Sequence, residues 1–328
     1  MPTILVTGGA GYIASHVVKE LLHQNHKPIV FDNLQSGHRK ATKNALFIEG
    51  DLSDQRKLAE TFQTNSIDAV MHFAADCLVG ESVKDPLNYF NNNVKNSLEL
   101  IEIMEEFNVT KIVFSSSAAV YGEPEEIPIS EWHPCVPTNP YGETKWIFEK
   151  VLRAYHEAGK LNYISLRYFN AAGADPEGEL GEDHSRETHL LPLVIKAALD
   201  GTSVTVFGTD YGTPDGTCIR DYIHVTDLAH AHILALQKLN QVKFSGTYNL
   251  GNGNGYSVRQ VIETVKKVTG REVAAVDSPR RPGDPARLVA SSQKIKEELG
   301  WIPRYPDLET IVKTAYDWHR EHPKGYDD

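Results

Sequence analysis

Tyr141 and Lys145 stand four residues apart in "PYGETK", and the serines Ser115, Ser116 and Ser117 close the apolar run "KIVFSSS". Four residues is about one helical turn, so a helix there puts the phenol and the ammonium on one face. A phenol beside positive charge is a candidate general base, because the charge favours phenolate. Ser117 could hydrogen-bond both a reacting oxygen and Tyr141. Each feature also has a plain reading. A Tyr and Lys at this spacing is an ordinary exposed helix face, and three serines are a polar strand exit.

A second constellation changes the weighing. "TGGAGYIASH" spans residues 7–16, with Gly8 and Gly11 three apart and Ala14 three further on. Such a stretch between a first strand and a first helix gives a tight turn and a close backbone approach. It aims N–H groups at a pyrophosphate, where the helix N-terminus is partly positive. The last slot needs only a small residue for helix–strand packing, and Ala14 is small. Asp32 follows Gly8 by 24 residues at the end of the next apolar run, where a carboxylate can take ribose hydroxyls. An acid there favours NAD over NADP, whose extra phosphate it repels. With a positive nicotinamide close by, Tyr141 becomes a usable base at neutral pH.

These residues need a scaffold, and the first half of the chain supplies its pattern. Strand-length apolar runs occur at 3–7, 28–32, 45–50, 69–75, 111–116 and 163–170, separated by amphipathic helical stretches such as "SHVVKELLHQ". This alternation predicts an α/β fold: a Rossmann-type doubly wound parallel sheet with a smaller, interleaved α/β C-terminal substrate domain. Beyond Asn170 the pattern is irregular, then helical at 227–239 and strand-like at 246–251. The expected division is an NAD-binding domain over 1–169, to which 226–250 returns, and a substrate-binding domain over 170–225 and 251–328.

The 328 residues are 41% hydrophobic and 23% charged, with a formal charge of −11. That balance argues against a general nucleic-acid or anionic-membrane surface, so an anionic ligand requires a few locally concentrated arginines. Cys77, Cys135 and Cys218 are widely spaced, show no metal-ligand pattern and suit a reducing compartment. No metal is expected. No apolar run approaches a membrane span, no signal peptide is evident and the strand pattern starts at Thr3, so a cytoplasmic location is expected.

Taken together, the motifs resemble the extended short-chain dehydrogenase/reductase family, and within it the UDP-galactose 4-epimerases. "TGGAGYIASH", "DNLQSGH", "FSSSAAVYGE", "PYGETK", "RYFNAAGA", "ETHLLP", "GTCIRDYIHV", "YNLGNGNGYSV" and "RRPGDP" follow that family's order, and the resemblance runs to the C-terminal "HPKGYDD". It implies a tightly held NAD that is reduced and reoxidised in each turnover, interconverting UDP-galactose and UDP-glucose. Tyr141 would take the proton of the sugar's 4-hydroxyl, Ser117 would assist, and Lys145 would bind the nicotinamide ribose and tune Tyr141. The resemblance places Tyr12 and Ile13 at the pyrophosphate, Asp32 and Asn33 at the adenosine ribose, and Asp51 and Leu52 near adenine. Phe73, Ala74, Asn92, Ser115 and Phe169 would line the rest of the cofactor channel. At the UDP end, Arg220 and Arg281 match the diphosphate-clamping arginines, and bidentate geometry favours Arg over Lys there. Asp284 would accept from uridine ribose hydroxyls and Phe207 would lie against uracil. Asn170, His189 and Leu190 would contact diphosphate and sugar, and Leu288 would wall the pocket beside the sugar's 2-substituent.

Two positions depart from the family pattern. Cys77 stands where many members carry Lys near the nicotinamide, and His189 stands where Asn is usual. Among sibling activities, 4,6-dehydratases use an Asp-Glu pair just after the active-site hydroxyl residue, where this chain has Ala118 and Ala119. Sugar decarboxylases also keep a carboxylate there. A UDP-N-acetylglucosamine 4-epimerase and a dehydrogenase using free NAD remain alternatives of the same fold. A non-enzymatic NAD-sensing regulator would lack Tyr141 or Lys145. Helices after Pro86 and from Tyr141 are expected to pair with their mates in a homodimer, as in relatives.

Overall fold

The computed structural model describes residues 1–241, 243–281 and 283–327; Val242, Pro282 of "RRPGDP" and Asp328 of "HPKGYDD" lie outside the described residues. Strands β1 (Thr3–Thr7), β2 (Lys27–Asp32), β3 (Leu46–Glu49), β4 (Ala69–His72), β5 (Lys111–Ser117) and β6 (Asn162–Tyr168) arise from the apolar runs of the first half. The second half adds β7 (Asn170–Ala172), β8 (Ser203–Phe207), β9 (Ile219–His224), β10 (Ser245–Leu250), β11 (Gly255–Ser257), β12 (Ala274–Ser278) and β13 (Arg287–Leu288).

Seven strands form a parallel sheet in the order β3-β2-β1-β4-β5-β6-β10. Such strands are buried on both faces, which is why they read as continuous Val, Ile and Leu runs. On one face Val17 and Leu21 of the Tyr12–His23 helix meet Leu228 and Leu236 of the Val225–Lys238 helix. On the other, Leu58, Phe62, Leu100, Met104, Phe148 and Leu152 come from three helices and pack on Leu5, Val70 and Ile112. The strand order reverses between β1 and β4, the place where open α/β sheets bind ligands beyond their carboxyl ends. Register then does the positioning. Thr7 pairs with Phe31 and His72, and Ser117 with Tyr168, so these strand ends lie along one edge.

After Phe169 the chain enters a second core. β7, β11 and β13 gather on β9 in a four-stranded sheet, and β8 and β12 pair in parallel. The helices Leu190–Asp200, Val258–Thr269 and Leu308–Glu321 bury Val194, Ile195, Val261, Val265 and Ile311 there. Between these segments the chain returns to the first sheet, because β10 pairs with β6. Among the described residues no helix is long and apolar enough to cross a membrane.

Candidate functional site

The glycine turn is shaped by backbone. Gly8 has φ of +71°, and a Cβ on it would sit 2.6 Å from the Ala74 nitrogen, so any side chain would be strained and would collide with the chain leaving β4. The Gly8 N–H donates to Phe31 O at 2.8 Å and the Gly11 N–H to Gly8 O at 3.2 Å. Gly11 caps the Tyr12–His23 helix with no side-chain hydrogen bond, so the first-turn N–H groups have no side-chain acceptor. That is the cradle a diphosphate requires. Ala14 is buried in the core between helix and sheet. Asp32 ends β2 and accepts from Ala10 N (2.9 Å) and Leu34 N (2.8 Å), while burial holds its carboxyl above the ordinary value.

The neighbouring positions fill in this edge. Asn33 Nδ2 donates to Asp51 Oδ2 at 2.6 Å, and Leu52 is buried beside Phe31. Burial opposes charge on Asp51, yet hydrogen bonds from Ser53 and Asn33 prevail and hold it below the usual range. Phe73 packs on His232 with ring centroids 4.8 Å apart. Asn92 lies in a one-turn π-helix, Asn91–Lys95, and its Nδ2 donates to Asn93 Oδ1 at 3.4 Å. Tyr12 differs from its neighbours, since its hydroxyl donates to Gly173 O at 2.6 Å and ties the first helix to the second core. Ile13 packs against the main core.

Tyr141 sits in the first turn of the Pro140–Glu157 helix, which starts because Asn139 accepts from Gly142 N at 2.9 Å and Pro140 fixes the first turn. Ser117 ends β5, accepts from Ala119 N at 3.1 Å and lies near enough to Tyr141 to favour its phenolate. Lys145 Nζ is buried, donates to Ser115 O at 2.8 Å, and lies 5.9 Å from the centre of the Tyr141 ring. The three side chains thus meet at one strand end. Their electrostatics correct one expectation. Burial, followed by the Cys77 thiol, raises the Tyr141 phenol above its ordinary value, and only Ser117 opposes this. Lys145 is itself held down to about 8 by burial. The ammonium alone therefore does not lower the phenol in this chain, because low dielectric penalises both charges. Cys77 is exposed on its surface side, yet it is close enough to act on both groups.

Sequence reasoning missed what holds this trio rigid. Glu149 and Arg167, each with 4% of its side chain exposed, form a buried pair with contacts of 2.9 Å (Nε to Oε1) and 2.5 Å (Nη2 to Oε2). Ser116 donates to the same carboxylate at 2.5 Å, Arg167 Nη1 reaches Tyr121 OH at 2.8 Å, and Tyr121 donates to Asn249 Oδ1 at 2.7 Å. One network therefore joins β5, β6, β10 and the Tyr141 helix. The signal was present, since Glu149 follows Lys145 by one helical turn. Gly142 was also missed: a Cβ there would stand 2.4 Å from Ala119 O, so glycine lets the helix approach the turn after Ser117. Asn93 completes the frame, donating to Asp76 O at 2.9 Å and Thr144 Oγ1 at 3.1 Å.

The second core brings the other group together by side chains. Asn170 starts β7, opposite Tyr222 of β9. Arg220 on β9 donates to Ile219 O at 2.8 Å and forms an ion pair with Asp284. Leu288 on β13 pairs with Arg220 across the strands and packs against the cluster of Ala118 and Phe169, which joins it to the Ser117 end. The Arg281 guanidinium lies 4.0 Å over the Phe207 ring, so the face expected to meet uracil carries a cation here. Leu190 begins the Leu190–Asp200 helix, and His189 Nδ1 lies 2.5 Å from Glu182 Oε1. Burial works against charge on His189, but the carboxylates of Glu182 and Glu187 prevail and raise it to about 9. Asp221, unremarked in the sequence, is buried and accepts from Asn252 N (2.8 Å), Gly253 N (2.9 Å) and Ala290 N (3.0 Å), which fixes β9 against the chain on either side.

Comparison with known proteins agrees with this geometry. Residues 4–251 match the family model described as "NAD dependent epimerase/dehydratase family". A UDP-glucose 4-epimerase of Halalkalibacterium halodurans is 56% identical over 324 residues, 98% of this chain and 97% of that protein. A crystal structure of a UDP-glucose 4-epimerase superposes with a TM-score of 0.96 at 54% identity, covering 99% of this chain and all of the other. A UDP-glucose 4-epimerase from Bifidobacterium longum, solved in complex with NAD+ and UDP, gives 0.95 at 40% identity, with coverage of 99% and 100%. The chain belongs to the NAD dependent epimerase/dehydratase family.

Proposed function

We propose that this chain interconverts UDP-galactose and UDP-glucose, and the observation that carries the reading is the meeting of Ser117, Tyr141 and Lys145 beside a glycine cradle. The uncapped helix start at Gly11 and the steric demand at Gly8 fit a dinucleotide, and Asp32, Asn33, Asp51 and Leu52 lie where its adenosine half belongs. Bound NAD would supply a hydride acceptor and donor for sugar C4. Tyr141 takes the proton of the 4-hydroxyl and later returns it, and Ser117 holds the same oxygen by hydrogen bonding. Lys145, fixed on Ser115 O, adds positive charge beside the phenol. Burial raises Tyr141, and a positively charged nicotinamide bound beside it would act in the opposite direction and favour the phenolate. Ala118 and Ala119 carry no proton, so nothing on this strand end eliminates water, and return of the hydride is the available outcome.

We assign residues 1–169 and 226–250 to the cofactor and 170–225 and 251–328 to the UDP-sugar. Arg220 and Arg281 hold the diphosphate, Asp284 the uridine ribose and Phe207 the uracil. Asn170, His189, Leu190 and Leu288 shape the sugar end. Binding then requires Arg220 to share Asp284 with the ligand and Arg281 to leave or tilt on Phe207. A homodimer is supported by Val83 (63% exposed) and Leu87 (69%), which lie on the neighbouring helices Val79–Lys84 and Pro86–Phe90. The three free cysteines support a cytoplasmic location. Incubation with UDP-galactose, and separately with UDP-N-acetylgalactosamine, followed by chromatography of the products tests the reading. UDP-glucose from the first is expected, and no UDP-glucose would refute it.

A further inference from the structure

Glu182, His184, Glu187 and His189 converge in the segment that leads into the Leu190–Asp200 helix. Each offers one ligand atom, and the four atoms lie within 4.8 Å of one another. His184 Nδ1 is 3.1 Å from Glu187 Oε2 and 3.5 Å from Glu182 Oε1. His189 Nδ1 is 2.5 Å from Glu182 Oε1 and 3.5 Å from Glu187 Oε1. Bonds of the length zinc makes to nitrogen and oxygen, set on a tetrahedron, put neighbouring donors about 3.3 Å apart. Two edges of such a donor set, His184 Nδ1 to Glu187 Oε2 and to Glu182 Oε1, are already near that length. The closest pair has to open by under about 1 Å.

Charge points the same way. Glu182 has 4% of its side chain exposed and Glu187 16%, and among the described residues their ion pairs go only to the two imidazoles. Two buried carboxylates without Lys or Arg are costly to desolvate. Protonated imidazoles balance them as they stand, and one divalent cation would take the place of those protons, leaving the imidazoles as neutral donors. The support expected around metal ligands is also present, because Glu187 Oε1 accepts from Thr188 N and His189 N, both at 2.7 Å. A second carboxylate group, Asp175, Glu177 and Glu179, makes a useful contrast. Lys19 Nζ sits among those three at 2.8, 2.5 and 3.1 Å, so an ammonium already fills the role of the cation.

We propose that Glu182, His184, Glu187 and His189 form a binding site for one late first-row divalent cation, with zinc as the best fit, in tetrahedral two-imidazole, two-carboxylate coordination. The site lies where the halves of the molecule meet. Both carboxylates act electrostatically on Tyr12 of the first helix and on His319 of the Leu308–Glu321 helix, and they also reach Cys77. A cation there staples residues 182–189 at the junction of the two cores. His189 ligating through Nδ1 keeps its other ring nitrogen as a donor, so its expected place near the sugar nucleotide is compatible with this role.

The test uses the tag-free full chain, dialysed against a chelator and then titrated with Zn2+ by calorimetry and with Co2+ by visible absorption. One Zn2+ per chain at micromolar affinity or tighter, intense tetrahedral Co2+ bands and a Tm higher by several degrees with Zn2+ are expected. His184→Gln and Glu187→Gln should each weaken Zn2+ binding at least tenfold with the far-UV circular dichroism unchanged, while Glu177→Gln leaves it as it was. Absence of stoichiometric Zn2+ or Co2+ binding to the folded wild-type chain overturns the proposal. So does unchanged stoichiometry in the His184→Gln/Glu187→Gln double variant.

Discussion

At the cofactor end the shaping contacts are made by backbone: Gly8 against Ala74, Asp32 between two N–H groups, Lys145 on a strand carbonyl. At the sugar-nucleotide end they are made by charged side chains holding one another, Arg220 on Asp284 and Arg281 over Phe207. Backbone contacts follow from strand register and cannot be exchanged without unfolding the edge. Side-chain pairs can change partners when an anion arrives. On the assignment proposed above, the first end is preorganised and the second would trade internal contacts for ligand contacts. That difference suits a tightly kept cofactor and a substrate that enters and leaves.

Substitutions separate the two ends. Tyr141→Phe keeps the shape and removes the hydroxyl, so kcat should fall by about 10² to 10⁴ with NAD content and UDP affinity retained. A loss of only a few-fold would remove Tyr141 as proton acceptor. Glu149→Ala leaves the Arg167 guanidinium buried without its partner, and denaturant unfolding should show a loss of about 3–5 kcal/mol. A change below about 1 kcal/mol would mean that the network does not frame the trio. Arg281→Ala should weaken UDP-sugar binding by roughly 1.5–3 kcal/mol, the scale of a charged hydrogen bond, with NAD content unchanged. Unaltered UDP affinity by calorimetry would take this residue out of the pocket.

The smallest effect concerns Leu288, which packs beside Phe169 and Ala118. An apolar wall of intermediate volume should make UDP-N-acetylgalactosamine a poorer substrate than UDP-galactose by about one or two orders of magnitude in kcat/KM. Leu288→Cys should narrow the gap and Leu288→Tyr widen it. Equal kcat/KM for both sugars in the wild type would show that this wall does not decide specificity.

The cofactor end was the more legible in sequence, for the reason that makes it rigid. A glycine turn, a strand-terminal acid and a Tyr and Lys one helical turn apart are local patterns whose geometry follows from one strand or helix. Glu149 stands one helical turn after Lys145, but its partner Arg167 carried no local pattern, because their meeting depends on where β6 lies in the sheet. The Glu182–His189 group was hidden differently. Its four ligands lie within eight residues, but in an irregular segment where spacing predicts no shared face. The rise in the Tyr141 phenol was illegible for a third reason, since burial is a property of the whole cleft and outweighs the neighbour that sequence spacing supplies.

The central claim is that hydride leaves and returns to the same sugar carbon within one site. UDP-galactose deuterated at C4, incubated with the purified chain and no added NAD, tests it directly by mass spectrometry and NMR of the product. The expected result is UDP-glucose carrying the deuterium at C4, with no NADH accumulating in solution. Loss of the label, or NADH formed in proportion to substrate consumed, would contradict it.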